Sequence, residues 1–200
     1  VCYIMGYSTD FTGNLLITPD PLESMVTFIN QFARTRRMKR DLPDKFGVEG
    51  EFYCLSTEEF GQKNERNIID YNSQPSTQHG LWVDWVINRH DGNYYLEWGG
   101  GEKFYSYVEW LSYYIDNFFE PYDIKLNGKI EWQGEDEDDT GSITVKNNIV
   151  LVVDDLKNIQ VDVEEPTWEA QLLLQGQNKG YELIHPKARQ KLDFDDLLRE

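Results

Sequence analysis

The sequence predicts an α+β fold, a two-layer sandwich in which a mostly antiparallel sheet carries two amphipathic helices on one face. Three observations lead there. Short segments of alternating apolar and polar residues surround only two long patterns of helical period. Each helical pattern is apolar on one side only, so each needs a broad cover. The last strand-like segments are separated by short turns, which join antiparallel neighbours.

Taken in order, Thr12–Thr18 (TGNLLIT) reads as a first strand. Asp20-Pro21 then opens a helix, with Asp20 as N-cap, Pro21 at the first helical position and Glu23 three residues after Asp20. Leu22, Met25, Val26, Ile29, Phe32 and Ala33 form its apolar face. Val48–Leu55 (VEGEFYCL) reads as a second strand, followed by a long polar stretch from Ser56 to Gly80. Loops of that length inside a domain are functional or mobile, and Ile68–Asn72 (IIDYN) is apolar enough to pin this one. Leu81–Ile87 (LWVDWVI) alternates as a strand, and His90-Asp91-Gly92-Asn93 turns it into Tyr94–Trp98.

The longest helical pattern follows. Phe104, Tyr107, Val108, Leu111, Ile115 and Phe118 fall at spacings of three and four, widened by Trp110, Tyr113 and Tyr114, and Pro121 stops the helix. Ile124–Gly134, Ser142–Lys146 and Ile149–Val153 read as three further strands, with Asn127-Gly128 and Asn147-Asn148 supplying turn chemistry. Residues 1–153 thus form the α+β domain, and residues 154–200 an acidic C-terminal extension. In that extension Pro166 and Trp168 begin one short helix that ends near Gly176, and Pro186 begins another that runs through Leu198.

The net charge is −17 and the isoelectric point near 4.5, with acidity skewed toward residues 120–200. That balance argues against direct nucleic-acid binding, which needs cations to displace counterions from phosphate. It suits a basic protein partner, metal cations, or mimicry of nucleic acid. Cys2 and Cys54 are widely separated, and no apolar run approaches a membrane span, so the expectation is a cytoplasmic chain that does not engage a membrane.

Several motifs occur together: FGQ (Phe60–Gln62), IIDYN, Pro75, GLWVDW (Gly80–Trp85), WGGGEKFYSYVEWL (Trp98–Leu111), FFEPYDIKLNGKIEWQGEDEDDTG (Phe118–Gly141) and ITVKNNIV (Ile143–Val150). This run, across residues 46–153, resembles a widespread group of small uncharacterised bacterial and phage proteins. That group usually carries aspartate where Gly99 stands and Trp-Gly where Tyr122-Asp123 stands. The resemblance implies a bacterial or phage setting.

Candidate chemistry is spread along the chain. Glu135, Asp136, Glu137, Asp138 and Asp139 lie between two strands and are expected to form a solvated acidic hairpin that meets a basic partner. Read from Asp136, the run also begins a calcium-loop pattern through Asp136, Asp138 and Thr140, so a Ca2+ or Mg2+ ion is an alternative there. It departs from that pattern at the twelfth position, where Asn147 stands in place of glutamate. Arg34, Arg36, Arg37, Lys39 and Arg40 exceed what helix capping needs, which leaves an anion site open beside the dipole explanation. A ligand pocket under the 56–80 loop would be walled by Tyr71, Trp82 and Trp98, with Lys103, Arg36 or Arg37 holding an anion. Gly99-Gly100-Gly101 before Lys103 matches no phosphate motif and reads as a tight strand-to-helix turn. No histidine spacing, nucleophile motif or cysteine pair specifies a catalytic reaction. The reading is therefore a non-enzymatic interaction module, an inhibitor or accessory factor acting through its acidic surface; the alternative is a small-ligand or cation sensor or an enzyme.

Overall fold

β1 (Thr9–Thr18) is the strand about which the sheet is arranged, in a computed structural model that describes residues 6–54, 58–63, 66–154 and 180–199. Its Phe11, Leu15 and Ile17 are buried while Asp10, Thr12 and Asn14 face solvent, the alternation of a sheet covered on one face. β5 (Asn93–Trp98) and β6 (Lys125–Gly134) flank it, both antiparallel. β4 (Trp85–His90), β7 (Thr140–Lys146), β8 (Ile149–Asp154) and β9 (Gly180–Ile184) complete seven strands in the order β4-β5-β1-β6-β7-β8-β9. Every pairing in this sheet is antiparallel, so the α+β sandwich is the observed fold.

The turns follow from residues that tolerate positive φ. Asp91-Gly92 (φ 51° and 85°) joins β4 to β5, and Asn147-Asn148 (φ 50° and 70°) joins β7 to β8. Asn127-Gly128 does not turn the chain; both residues lie inside β6. Gly128 has φ 152° and faces Leu15, and a Cβ there would overlap the carbonyl oxygen of Asn14. Glycine is needed for close approach of the two backbones.

Two helices cover the buried face. α1 (Glu23–Arg34) buries Met25, Phe28, Ile29, Phe32 and Ala33. Its N-cap position is Leu22, without a side-chain cap, rather than Asp20. α2 (Tyr107–Tyr114) buries Trp110, Leu111, Tyr113 and Tyr114, then continues as a π turn over Ile115–Phe119 and a 3-10 turn over Glu120–Tyr122. The π turn sets Phe118 against Phe28, Phe32 and Tyr114 at centroid distances of 5.4, 5.4 and 5.1 Å. Such edge-on aromatic pairs add about 0.5–1.5 kcal/mol each beyond burial.

Of three segments, two depart from the sequence reading, while the long loop is pinned at Ile68–Asp70 as expected. The run expected as a strand over Val48–Leu55 is not one in its described part, Val48–Cys54: Val48–Gly50 forms a 3-10 turn, with Glu49 at φ 54° between Gly47 at 71° and Gly50 at 75°. Glu51, Phe52, Tyr53 and Cys54 are then buried in succession, the pattern of a chain packed on both sides. The long loop is anchored, since β3 (Ile68–Asp70) pairs with β2 (Lys39–Arg40) in a second, two-stranded sheet. The strand foreseen from Leu81 begins at Trp85, because the Leu81 carbonyl accepts the Arg37 N–H outside the sheet.

At the C-terminal end β9 extends the sheet, and the only helix among the described residues there is α3 (Phe194–Leu197). Phe194 and Leu197 are buried in the main core. The helix expected between Pro166 and Gly176 lies outside the described residues. No helix among the described residues is long and apolar enough to cross a membrane.

Candidate binding groove

A groove of about 1080 Å³ runs along the side of α2 that faces away from the core. Four separate segments build it: residues 44–52, residues 77–79, α2 and its continuation through Asn117, and residues 182–197, with Trp132, Val152 and Asp154 of the sheet also in the lining. The C-terminal segment is strapped in place by backbone bonds. Lys187 N–H donates to Asp116 Oδ1 (2.6 Å) and Arg189 N–H to the Asp116 carbonyl (2.9 Å). The Tyr122 hydroxyl bonds both the N–H and the carbonyl of Leu192. Lys45 Nζ reaches the Asp196 and Arg199 carbonyls at the end of α3, where the helix dipole favours a cation.

Acidic groups dominate the lining. Asp44, Glu51, Glu109, Asp116, Asp154, Glu182, Asp193 and Asp196 face four Lys and Arg side chains. Burial holds the Asp116 carboxyl above the usual aspartate range, opposed by the Lys187 N–H and by the charges of Arg189 and Lys187. The Tyr107 phenol is pushed up chiefly by burial and then by the carboxylates of Asp139, Asp154 and Glu109. His79 is pushed down by burial, against the pull of Glu109, and its ring meets Trp110 at 5.8 Å and Tyr113 at 6.3 Å.

The groove floor is a buried polar network. Glu51 is 8% exposed and accepts from the Thr77 hydroxyl (2.5 Å), the Tyr113 hydroxyl (3.0 Å) and the Val48 N–H (3.2 Å). The Gln78 amide donates to the Glu51 carbonyl at 2.7 Å. Burial, then the Glu51 charge, places the Tyr113 phenol well above its ordinary range. Glu51 was concealed in the sequence as one acid in a run read as a strand, and Thr77 and His79 as members of a polar loop. A charged residue opening the otherwise apolar run EFYC was the only signal.

The acidic hairpin abuts the groove. Asp139 accepts from the Tyr7 hydroxyl (2.6 Å) and from the Trp132 indole N–H (3.3 Å), and Trp132 lines the groove. Glu135 accepts the Ser8 N–H at 2.7 Å. Asp136, Glu137 and Asp138 are left as exposed carboxylates at the tip. Thr140 begins β7, which carries Asn147 on the order of 23 Å away from the hairpin over seven residues, so the run does not close as a calcium loop. Among the described residues no group of three or more His, Cys, Asp or Glu side chains is placed to hold a metal ion.

The residues expected to wall a ligand pocket are dispersed. Trp98 packs its ring on Phe11 at 5.6 Å within the sheet layer. Lys103, at φ 61°, is exposed and lays its stem against Gly6. The glycine turn before it is organised by Asp84, which accepts the Gly101 N–H at 2.6 Å and is held above the aspartate range by burial. Tyr71 follows β3 and is half-buried. Trp82 is 43% exposed and meets Phe60 edge-on at 6.1 Å. Trp82, Arg36 and Arg37 share a neighbourhood: Arg36 N–H donates to the Phe60 carbonyl and Arg36 Nη1 to Gln62 Oε1 (2.8 Å), and Phe60 meets Trp82.

Arg37 is the unusual member. Its guanidinium is 1% exposed, lies 4.0 Å above the Phe32 ring and donates through Nη2 to the Tyr53 carbonyl. Its Nε and Nη1 have no hydrogen-bond partner. Burial lowers its pKa to about 10, and the same burial pushes the neighbouring Cys54 thiol up to about 12.

Comparison with protein-family models, with curated proteins and with solved structures finds no match for this chain.

Proposed function

We propose that the chain is a protein-interaction module whose acidic groove, continued by the hairpin at Glu135–Asp139, receives a basic segment of a partner protein. The observation that carries this reading is the lining of the groove, in which carboxylates outnumber Lys and Arg two to one within a concave volume of about 1080 Å³. A cleft of one charge sign concentrates field lines and speeds capture of an oppositely charged segment. Exposed carboxylates at the rim steer the encounter, and buried ones hold the docked segment. In the bacterial or phage setting that the motif run implies, such a module acts as an inhibitor or accessory factor on a basic host protein.

The test is binding of a basic partner segment measured across ionic strength. The affinity is expected to fall as salt rises and to drop again when Asp136, Glu137 and Asp138 are changed to Asn and Gln. Binding that is indifferent to both salt and these changes would refute the reading.

One observation favours a second reading, a sensor of small anions. Arg37 presents two buried nitrogens without partners, beside the Arg36–Phe60–Trp82 neighbourhood. Phosphate or a carboxylate ligand would then raise the melting temperature, and Arg37→Met would abolish the rise.

A further inference from the structure

We infer that Glu51 is the anchor of the groove, the acceptor for one lysine or arginine side chain of the bound partner. The inference rests on the basic-partner reading and gives it a specific contact.

Glu51 differs from the other acids of the groove in burial and in the company it keeps. Asp196 has Lys45 at 3.4 Å, and Asp116 has Lys187 and Arg189 close enough to act on its charge. Around Glu51 the donors are a backbone N–H and two hydroxyls, all neutral. Among the described residues no lysine or arginine lies within ion-pair distance of it. A carboxylate 8% exposed with only neutral donors is an incompletely compensated charge, and it faces an open groove.

The acceptor inventory leads to the same conclusion. A carboxylate offers about four lone-pair positions, and Glu51 uses two on Oε2 and one on Oε1. One position on Oε1 remains. In the same network Gln78 is 5% exposed, and its Oε1 has no hydrogen-bond partner. The free position on Oε1 asks for a donor, and a carboxylate without a counter-charge asks for a cation; Gln78 lies outside the groove lining and adds no demand of its own. An ammonium or a guanidinium satisfies both demands. Phe52, Tyr113 and His79 supply ring surface around the floor, against which the aliphatic stem of a lysine or arginine can lie.

The experiment uses the full chain and three blocked tetrapeptides: tetra-arginine, tetra-lysine and the uncharged isostere tetra-citrulline. Titration calorimetry at low salt is expected to show binding of one or both basic peptides and none of tetra-citrulline. Glu51→Gln preserves acceptors for Thr77 and Tyr113, and is expected to weaken binding by at least about tenfold. The rim variant Glu109→Gln is expected to weaken it by less than about threefold, as exposed ion pairs do. Because Glu51→Gln could perturb the fold, hydrogen exchange on the wild-type chain supplies an independent reading. Added peptide is expected to protect amides of residues 48–52 and 77–79.

Equal effects of Glu51→Gln and Glu109→Gln, or protection confined to residues 134–140, would overturn the anchor and leave the acidic-surface reading standing. Failure of the wild-type chain to bind either basic peptide would overturn both. A preference for tetra-arginine or tetra-lysine identifies which side chain the anchor takes.

Discussion

Arg37→Met is expected to make the protein more stable, although it removes a hydrogen bond and a ring contact. At neutral pH the guanidinium is charged in both folded and unfolded chains, but burial lowers its folded pKa from 12.5 to about 10. That displacement corresponds to about 3 kcal/mol against the charged folded form. Among the described residues no carboxylate lies within ion-pair distance to repay it; the direct interactions recorded there are the Tyr53 carbonyl and the Phe32 ring at 4.0 Å. Methionine keeps most of the apolar stem and fills similar space, while losing the bond to Tyr53 costs about 1 kcal/mol. The net gain is then about 1–2 kcal/mol, or roughly 2–8 °C in melting temperature for a chain of this size. The pH dependence has a defined sign. A base whose folded pKa is lowered penalises the fold fully below that value, and the penalty fades as pH rises through about 10. The advantage of Arg37→Met is therefore expected in full at pH 7 and should shrink by pH 11, above the folded pKa. Urea unfolding of both proteins at the two pH values measures it. Destabilisation by more than about 1 kcal/mol at pH 7 would refute the reasoning and mean that the buried Arg37 charge is compensated within the fold.

Three further outcomes are expected. Phe194→Ala removes a ring packed on Phe28 and Tyr122, each at 5.2 Å, and is expected to cost about 3–5 kcal/mol in urea unfolding; a loss under 1 kcal/mol would mean that α3 is not part of the core. Asp84 is ionised at a burial penalty, so Asp84→Asn, which can still accept the Gly101 N–H, is expected to be the more stable protein at pH 7. Its advantage should narrow as pH falls toward the raised Asp84 pKa, since protonation relieves the penalty in the wild type; an advantage that grows on acidification would contradict this. Millimolar calcium is expected to leave the melting temperature where an equal ionic strength of sodium chloride leaves it. A calcium-specific rise lost in Asp136→Asn would contradict that.

Much of the fold was legible because period and turn chemistry agreed. β1, α1, the β4–β5 hairpin, α2 and the β6–β7–β8 meander all follow from apolar spacing, with Asp91-Gly92 and Asn147-Asn148 marking two turns. Misreadings arose where tertiary packing overrode local pattern. EFYC looks like a strand by composition, yet Gly47, Glu49 and Gly50 at positive φ turn the chain into the core immediately before it. Asn127-Gly128 looks like a turn, but the glycine answers a close approach between two strands. The hairpin carboxylates were visible in the sequence because they are contiguous. The groove was not, because its walls come from segments far apart along the chain, joined by contacts such as Lys45 with Asp196, 151 residues apart, and Lys187 with Asp116, 71 residues apart. Arg37 was visible as a charge but not as a buried one; its neighbours Phe32, Tyr53, Cys54 and Tyr113 converge only in the folded chain.

The most direct test of the acidic groove places a photo-crosslinking amino acid at Val108, on the outer face of α2 within the groove, and irradiates the protein in a lysate of its own host. Mass spectrometry then reads the captured segment. The account predicts one dominant protein, crosslinked through a Lys- or Arg-rich segment, with capture that weakens as salt rises and is lost in Glu51→Gln. Capture of an acidic or apolar segment, unaffected by salt, would contradict it.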